Sequence, residues 1–225
     1  MTPRALATNE IPVIIEQYRQ AARNALAAGF DGVEIHAANG YLIEQFLRDS
    51  TNKRTDAYGG SRENRARVLF EVSEAVAGVC GGKRVGVRLS PVATVNGAAL
   101  DSNPAATYTY AVAGLNAFDL AYIHVIEGNT QGPRHVPDSF DLQILRRTFK
   151  GPNNGYDREL ALDARRRNLA DLVSFGRLFI ANPDLVERLR IGGALNVPDR
   201  ATFFGGGAAG YTDYPVLTPA ERVLA

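Results

Sequence analysis

The sequence holds a single cysteine, Cys80, in 225 residues. One thiol excludes an internal disulfide framework and fits a reducing compartment. Net charge is equally scarce: 25 Lys and Arg against 24 Asp and Glu leave +1, too little for a nucleic-acid binder held by bulk electrostatics. No apolar run approaches the roughly 20 residues that span a bilayer. The opening residues, MTPRALATNE, lack the apolar segment of a signal peptide. The chain is therefore expected to be cytoplasmic, with neither membrane nor nucleic acid among its partners. Neither His124 nor His135 has clustered cysteine or carboxylate neighbours in the sequence, so no metal site is expected.

What is present suits a globular α/β protein. The length is enough for one domain with a substantial core, and residues 1–225 are read as one. Residues 8–28 carry apolar side chains at helical spacing from Ile14 to Leu26, with Thr8 or Asn9 as candidate cap, Pro12 in the first turn and Gly29 as the stop. Further helices are expected over 62–80, 105–113, 140–149, 157–169 and 183–191. Strands are expected at 32–35, 84–89, 120–126 and 172–175. Such alternation predicts βαβ units and a parallel sheet. After Lys150 the alternation fails: residues 151–157, GPNNGYD, have no apolar run and read as turn.

The most informative stretch runs from Gly29 to Ser61. A Gly-Phe-Asp-Gly turn leads into the short apolar run Val33-Glu34-Ile35, then His36, Asn39 and Tyr41, then an amphipathic turn of helix from Leu42 to Leu47. Three hydrogen-bonding side chains thus fall just past a strand end, where α/β proteins bind ligands. Taken alone, His36 reads as a satisfied histidine at a strand end, and Tyr41 as an aromatic preceding an apolar helical face.

Together these residues resemble the Old Yellow Enzyme family. The match runs through Asp31–Leu47 (DGVEIHAANGYLIEQFL) and Asn52–Ser61 (NKRTDAYGGS), and continues in VGVRLSP (Val85–Pro91), FGRLFIANPDL (Phe175–Leu185) and GYTDYP (Gly210–Pro215). The fold implied is a (β/α)8 TIM barrel. Four strands are legible, so the expectation is a partial barrel that lacks the N-terminal strands and the seventh strand, the latter lost just before Asn153-Asn154-Gly155. Open strand edges tend to pair, so a homo-oligomer is a possible partner state.

The resemblance implies an oxidoreductase with FMN as cofactor and NAD(P)H as reductant, acting on a small molecule, the activated C=C bond of an α,β-unsaturated carbonyl compound. It gives His36 and Asn39 the role of donors to the substrate carbonyl oxygen. Charge builds there as hydride reaches the β-carbon, so fixed donors act like an oxyanion hole. Tyr41 becomes the general acid for the α-carbon, since a phenol is protonated at neutral pH. Arg88 is expected at the N1/O2 edge of the flavin. Gly176 and Arg177, with Asn154 and Gly155 on the companion loop, are expected at the FMN phosphate. Phe203 is expected beside the flavin ring. Phe204 stands where many members carry a substrate-contacting Tyr, so it offers a ring and no hydroxyl. Asn52, Arg54, Asp56 and Tyr58–Ser61 are assigned to bracing the loop. The alternative reading is a non-catalytic barrel fragment, or an edge-pairing interaction module that no longer binds FMN productively.

Overall fold

The computed structural model describes residues 4–128, 140–149, 158–205 and 207–223, which divide into two compact units. Asn154, Gly155 and His135, and the turn expected at 151–157, lie outside the described residues.

The first unit is organised by a three-stranded parallel sheet, β1 (Val33–Ala37), β2 (Val85–Leu89) and β3 (Tyr122–Val125), in the order β1-β2-β3. The three strands fall where the apolar runs put them. Side chains alternate across a strand, and here the alternation is strict. Ile35, Ala37, Val85, Val87, Leu89, Ile123 and Val125 are buried in the core, where α3 (Arg62–Cys80) packs on β1 and β2. The opposite face carries Glu34, His36, Arg88, Tyr122 and His124. That one-sided polarity is what positions a site: the apolar face anchors the sheet, and the polar face is left for chemistry.

The helices of this unit have legible ends. α1 (Ile11–Ala27) stops in a Schellman motif: Gly29, at φ +90°, lets the Phe30 N–H reach the Ala25 carbonyl at 3.1 Å and its own N–H reach Leu26 at 3.0 Å. Its start differs from expectation. Neither Thr8 nor Asn9 caps it; a 3-10 turn, Thr8–Glu10, leads in, and the Thr8 hydroxyl donates instead to Asp56 at 2.6 Å. A long-range carboxylate has outcompeted the local cap. α2 (Leu42–Leu47) follows β1 directly, Ser61 caps α3 by accepting from the Asn64 N–H, Asn103 caps α4 (Pro104–Leu115) by accepting from Ala106, and α5 is Gln143–Thr148.

The second unit contains α6 (Arg158–Arg166), α7 (Arg177–Ala181), α8 (Leu185–Ile191) and α9 (Pro219–Val223). Arg188, 3% exposed, ties it together. Its guanidinium donates to Asp184 at 2.6 Å, to Pro215 at 2.8 Å and to the Ala194 carbonyl. Asp184 in turn accepts from the Leu217 N–H at 2.7 Å. The strand expected at 172–175 does not form: that run pairs with no strand among the described residues, and Leu172 is 53% exposed. A strand exists only through a neighbour's hydrogen bonds, and among the described residues none supplies them. Among the described residues no helix is long and apolar enough to cross a membrane.

Candidate active site

The candidate site of the first unit lies at the C-terminal ends of the strands. The parallel register puts His36, Arg88 and His124 on one rung and Glu34, Gly86 and Tyr122 on the rung below. Gly86 is required by what crosses it: a Cβ there would lie 2.2 Å from the Tyr122 ring. The ring thus passes over β2 toward Glu34 on the far strand, whose charge acts on its phenol. Burial and the neighbouring Glu34 charge push the Tyr122 phenol up to about 12. Glu34 also meets His124 Nδ1 at 3.0 Å. Burial opposes the Glu34 charge, but the contacts with His124, Tyr122 and Arg88 outweigh it and hold the carboxyl below its usual range.

His36 is half-buried on this face. Burial, and then the Arg88 charge beside it, lower its pKa from 6.5. The neutral ring, with one N–H to donate, is thereby favoured. The Tyr41 ring lies 5.2 Å from the His36 ring at 52° and is 53% exposed, open to whatever enters. Arg88 is half-buried, and its Nε is fully buried with no hydrogen-bond partner among the described residues. An unpaired buried guanidinium N–H is costly and marks a place prepared for an acceptor.

Between His36 and Tyr41 the chain takes two consecutive left-handed residues, Asn39 at φ +58° and Gly40 at φ +72°. The second must be glycine, because a Cβ would also meet the Val95 carbonyl at 2.7 Å. Backbone bonds hold the pair: the Asn39 N–H donates to Ser90 Oγ at 2.7 Å, the Gly40 N–H to Glu44 Oε2 at 2.6 Å, and Asn96 donates to the Asn39 carbonyl at 2.9 Å. The Ser90 hydroxyl in turn donates a hydrogen bond to Glu44 Oε1 at 2.6 Å.

Glu44 is fully buried, and so is its partner one turn on, Arg48, at 3.0 Å. Tyr108 donates to Glu44 at 2.7 Å. Burial and the Glu44 charge raise the Tyr108 phenol well above 10. Arg48 spreads over the carbonyls of Ser90, Ala93 and Ala99 at 2.5, 2.8 and 2.9 Å, and over Tyr108 Oη at 3.1 Å. None of this was visible in the sequence. A Glu and an Arg four apart on a short amphipathic helix look like an ordinary surface pair, and the residues that bury them come from α4 and the loop after β2.

The bracing residues act as expected. Asn52 donates to the Phe46 and Tyr58 carbonyls at 2.6 and 2.7 Å, and Arg54 pairs with Asp56 at 2.5 Å. His36, Asn39, Tyr41 and Arg88 are thus gathered at the strand ends of the first unit. Of the other expected residues, those that are described, Gly176, Arg177, Phe203 and Phe204, belong to the second unit. Gly176 and Arg177 are exposed at the start of α7. Phe203 is half-buried, its carbonyl accepting from the Tyr211 hydroxyl at 3.1 Å, and Phe204 is 95% exposed.

Residues 1–196 match the NADH:flavin oxidoreductase / NADH oxidase family. 12-oxophytodienoate reductase 7 of Oryza sativa subsp. japonica is 49% identical over 240 residues, covering 98% of this chain and 61% of the relative. 12-oxophytodienoate reductase 2 of Arabidopsis thaliana is 46% identical over 220 residues, covering 96% of this chain and 59% of the relative. Among solved structures, morphinone reductase superposes with a TM-score of 0.92 at 50% identity, over 98% of this chain and 59% of its own. The old yellow enzyme homologue from Zymomonas mobilis does so with a TM-score of 0.88 at 44% identity, over 95% of this chain and 61% of its own. The chain therefore spans about 60% of the length of such relatives. With a family match over most of its residues and relatives at nearly half identity, the chain belongs to the NADH:flavin oxidoreductase / NADH oxidase family, the Old Yellow Enzyme group whose cofactors are FMN and a nicotinamide reductant.

Proposed function

We propose that this chain reduces the C=C bond of an α,β-unsaturated carbonyl compound, with FMN as bound cofactor and NAD(P)H as reductant, on a partial (β/α)8 barrel. The observation that carries this reading is the polar face of the sheet: His36 beside Arg88 on one rung, with the Tyr41 ring 5.2 Å from His36. The parallel sheet, its helical crossovers and a polar cluster at the strands' C-terminal ends support the barrel assignment.

The residues present suit the cofactor. The buried, partnerless Arg88 Nε fits the electron-rich pyrimidine edge of a flavin. Family resemblance assigns Gly176, Arg177, Asn154 and Gly155 to the phosphate and Phe203 to the ring. Held by these residues, FMN would supply the hydride chemistry for the substrate β-carbon, with the nicotinamide as its reductant. The protein does the rest. His36 and Asn39 donate to the carbonyl oxygen and stabilise the negative charge that arrives there. The low pKa of His36 keeps the ring a hydrogen-bond donor without making it a competing acid. Tyr41, exposed at the head of α2, gives its phenolic proton to the α-carbon, so that one hydride and one proton saturate the bond. Family resemblance assigns Phe204 to the substrate, with a ring and no hydroxyl.

The test is a titration of the full chain with FMN, followed by NADPH-driven reduction of a cyclic enone. Saturable binding is expected. His36→Ala is expected to lower kcat by roughly 10²–10³-fold, as for a lost oxyanion donor, and Tyr41→Phe by roughly 10²–10⁴-fold, as for a lost general acid. Absence of flavin binding at high protein concentration would replace this reading with that of a non-catalytic fragment.

A further inference from the structure

Glu44 is not a surface residue, and its position makes no sense as a mere salt bridge. An ion pair needs one cation, and Arg48 supplies it. Yet the Glu44 carboxylate also takes the Gly40 N–H, the Ser90 hydroxyl and the Tyr108 hydroxyl. Two of those three donors lead straight to the left-handed pair 39–40: Gly40 directly, and Asn39 through Ser90. Holding a non-glycine residue in the left-handed region costs about 1–2 kcal/mol. Here a buried anion collects, directly or through one hydroxyl, the two backbone N–H groups that this conformation presents.

We propose that Glu44, acting through Ser90, is the positioning residue of the substrate-oxygen donor pair: it fixes the left-handed backbone from which the Asn39 side chain departs, and so sets its placement relative to His36. The inference rests on the reading of His36 and Asn39 as donors. The geometry of the relay is specific. Asn39 and Gly40 follow the end of β1, Ser90 follows the end of β2, and Glu44 sits in the first turn of α2, so the carboxylate ties three separate elements to one loop. Arg48 completes the relay from behind. It binds the carbonyls of Ser90, Ala93 and Ala99, which holds the loop bearing Ser90 against the carboxylate. A scaffold of this kind supplies the sub-ångström placement that oriented donors need.

Two readouts test it. The first is amide hydrogen exchange of the full chain by NMR, which needs no turnover. In Glu44→Gln the Asn39 and Gly40 amides are expected to exchange at least tenfold faster, while amides inside β2 keep their rates. In Ser90→Ala the Asn39 amide is expected to accelerate and the Gly40 amide to hold. Unchanged exchange at both positions in both variants overturns the proposal. The second is a double-mutant cycle on enone reduction with Ser90→Ala and Asn39→Ala. Ser90→Ala alone is expected to lower kcat/KM roughly 10- to 100-fold and to add little in the Asn39→Ala background. Equal losses in both backgrounds show general destabilisation and overturn the route through Asn39. If Asn39→Ala leaves turnover intact, the donor-pair reading falls, and with it the proposal's claim on catalysis; the exchange data then report the loop anchor alone.

Discussion

Replacing Arg48 by methionine tests the physical core of the first unit. The side chain is fully buried and spreads over three carbonyls, the Tyr108 hydroxyl and the Glu44 carboxylate. Methionine matches much of its apolar stem and none of its donors. The variant therefore leaves a carboxylate buried without a counter-charge, a change that costs about 3–5 kcal/mol, together with carbonyls stripped of their partners. For a unit of this size each kcal/mol lowers the melting temperature by about 2–4 °C, so a fall of about 6–20 °C is expected. Thermal and urea unfolding followed by circular dichroism measures it. Two controls define the cause. Arg23→Met breaks an exposed pair, Arg23–Glu16, with both side chains about half exposed, and is expected to cost less than about 1 kcal/mol. Glu44→Leu combined with Arg48→Met removes both charges and is expected to recover a large part of the loss, since an apolar replacement of a whole buried pair is often neutral. A melting temperature for Arg48→Met within about 2 °C of the parent would refute the argument, because it would mean that water reaches the Glu44 carboxylate.

Other expectations concern the polar face of the sheet. His36 is expected to titrate below 6.5, driven by burial and Arg88, in an NMR titration of its ring protons; a midpoint at or above 6.5 contradicts the placement. Since the folded state depresses this pKa, the unfolded chain takes up the proton more readily. The His36 contribution to stability is then present above pH 6.5 and lost as the pH falls below it. Gly86→Ala drives a methyl into the Tyr122 ring. It is expected to cost about 1–3 kcal/mol and to bring the Tyr122 phenol down from about 12 as its hydroxyl leaves Glu34, a change visible by ultraviolet difference spectroscopy.

How much of this was readable in the sequence follows the range of the interactions. The span of α3 was legible from its apolar spacing, which is local. The three strands were legible from their apolar runs, and His36, Asn39, Tyr41 and Arg88 from the motifs around them. What escaped was non-local. The helix cap at Thr8 yields to Asp56, 48 residues away. The run at 172–175 has the right residues and no neighbouring strand among the described residues. Glu44 and Arg48 look solvent-facing until Tyr108 and the loop after β2 close over them. Glu34, Tyr122 and His124 form one cluster only because the register aligns three strands, and no one strand announces that.

The alternation along β1, β2 and β3 also governs how this protein can vary. Each strand has only four or five residues, so there is no slack in which to absorb a shift. A substitution at Tyr122 or His124 alters the chemistry of one face and leaves the core behind it intact. A single inserted residue within β2 does something different in kind. It would turn Arg88 into the apolar core and bring Val87 or Leu89 to the site, losing the fold and the chemistry in one step. Three windows of the gene are thus tolerant of point changes and closed to length changes, and any broadening of substrate range by drift or by design has to come through replacement there and through length variation only in the connecting loops.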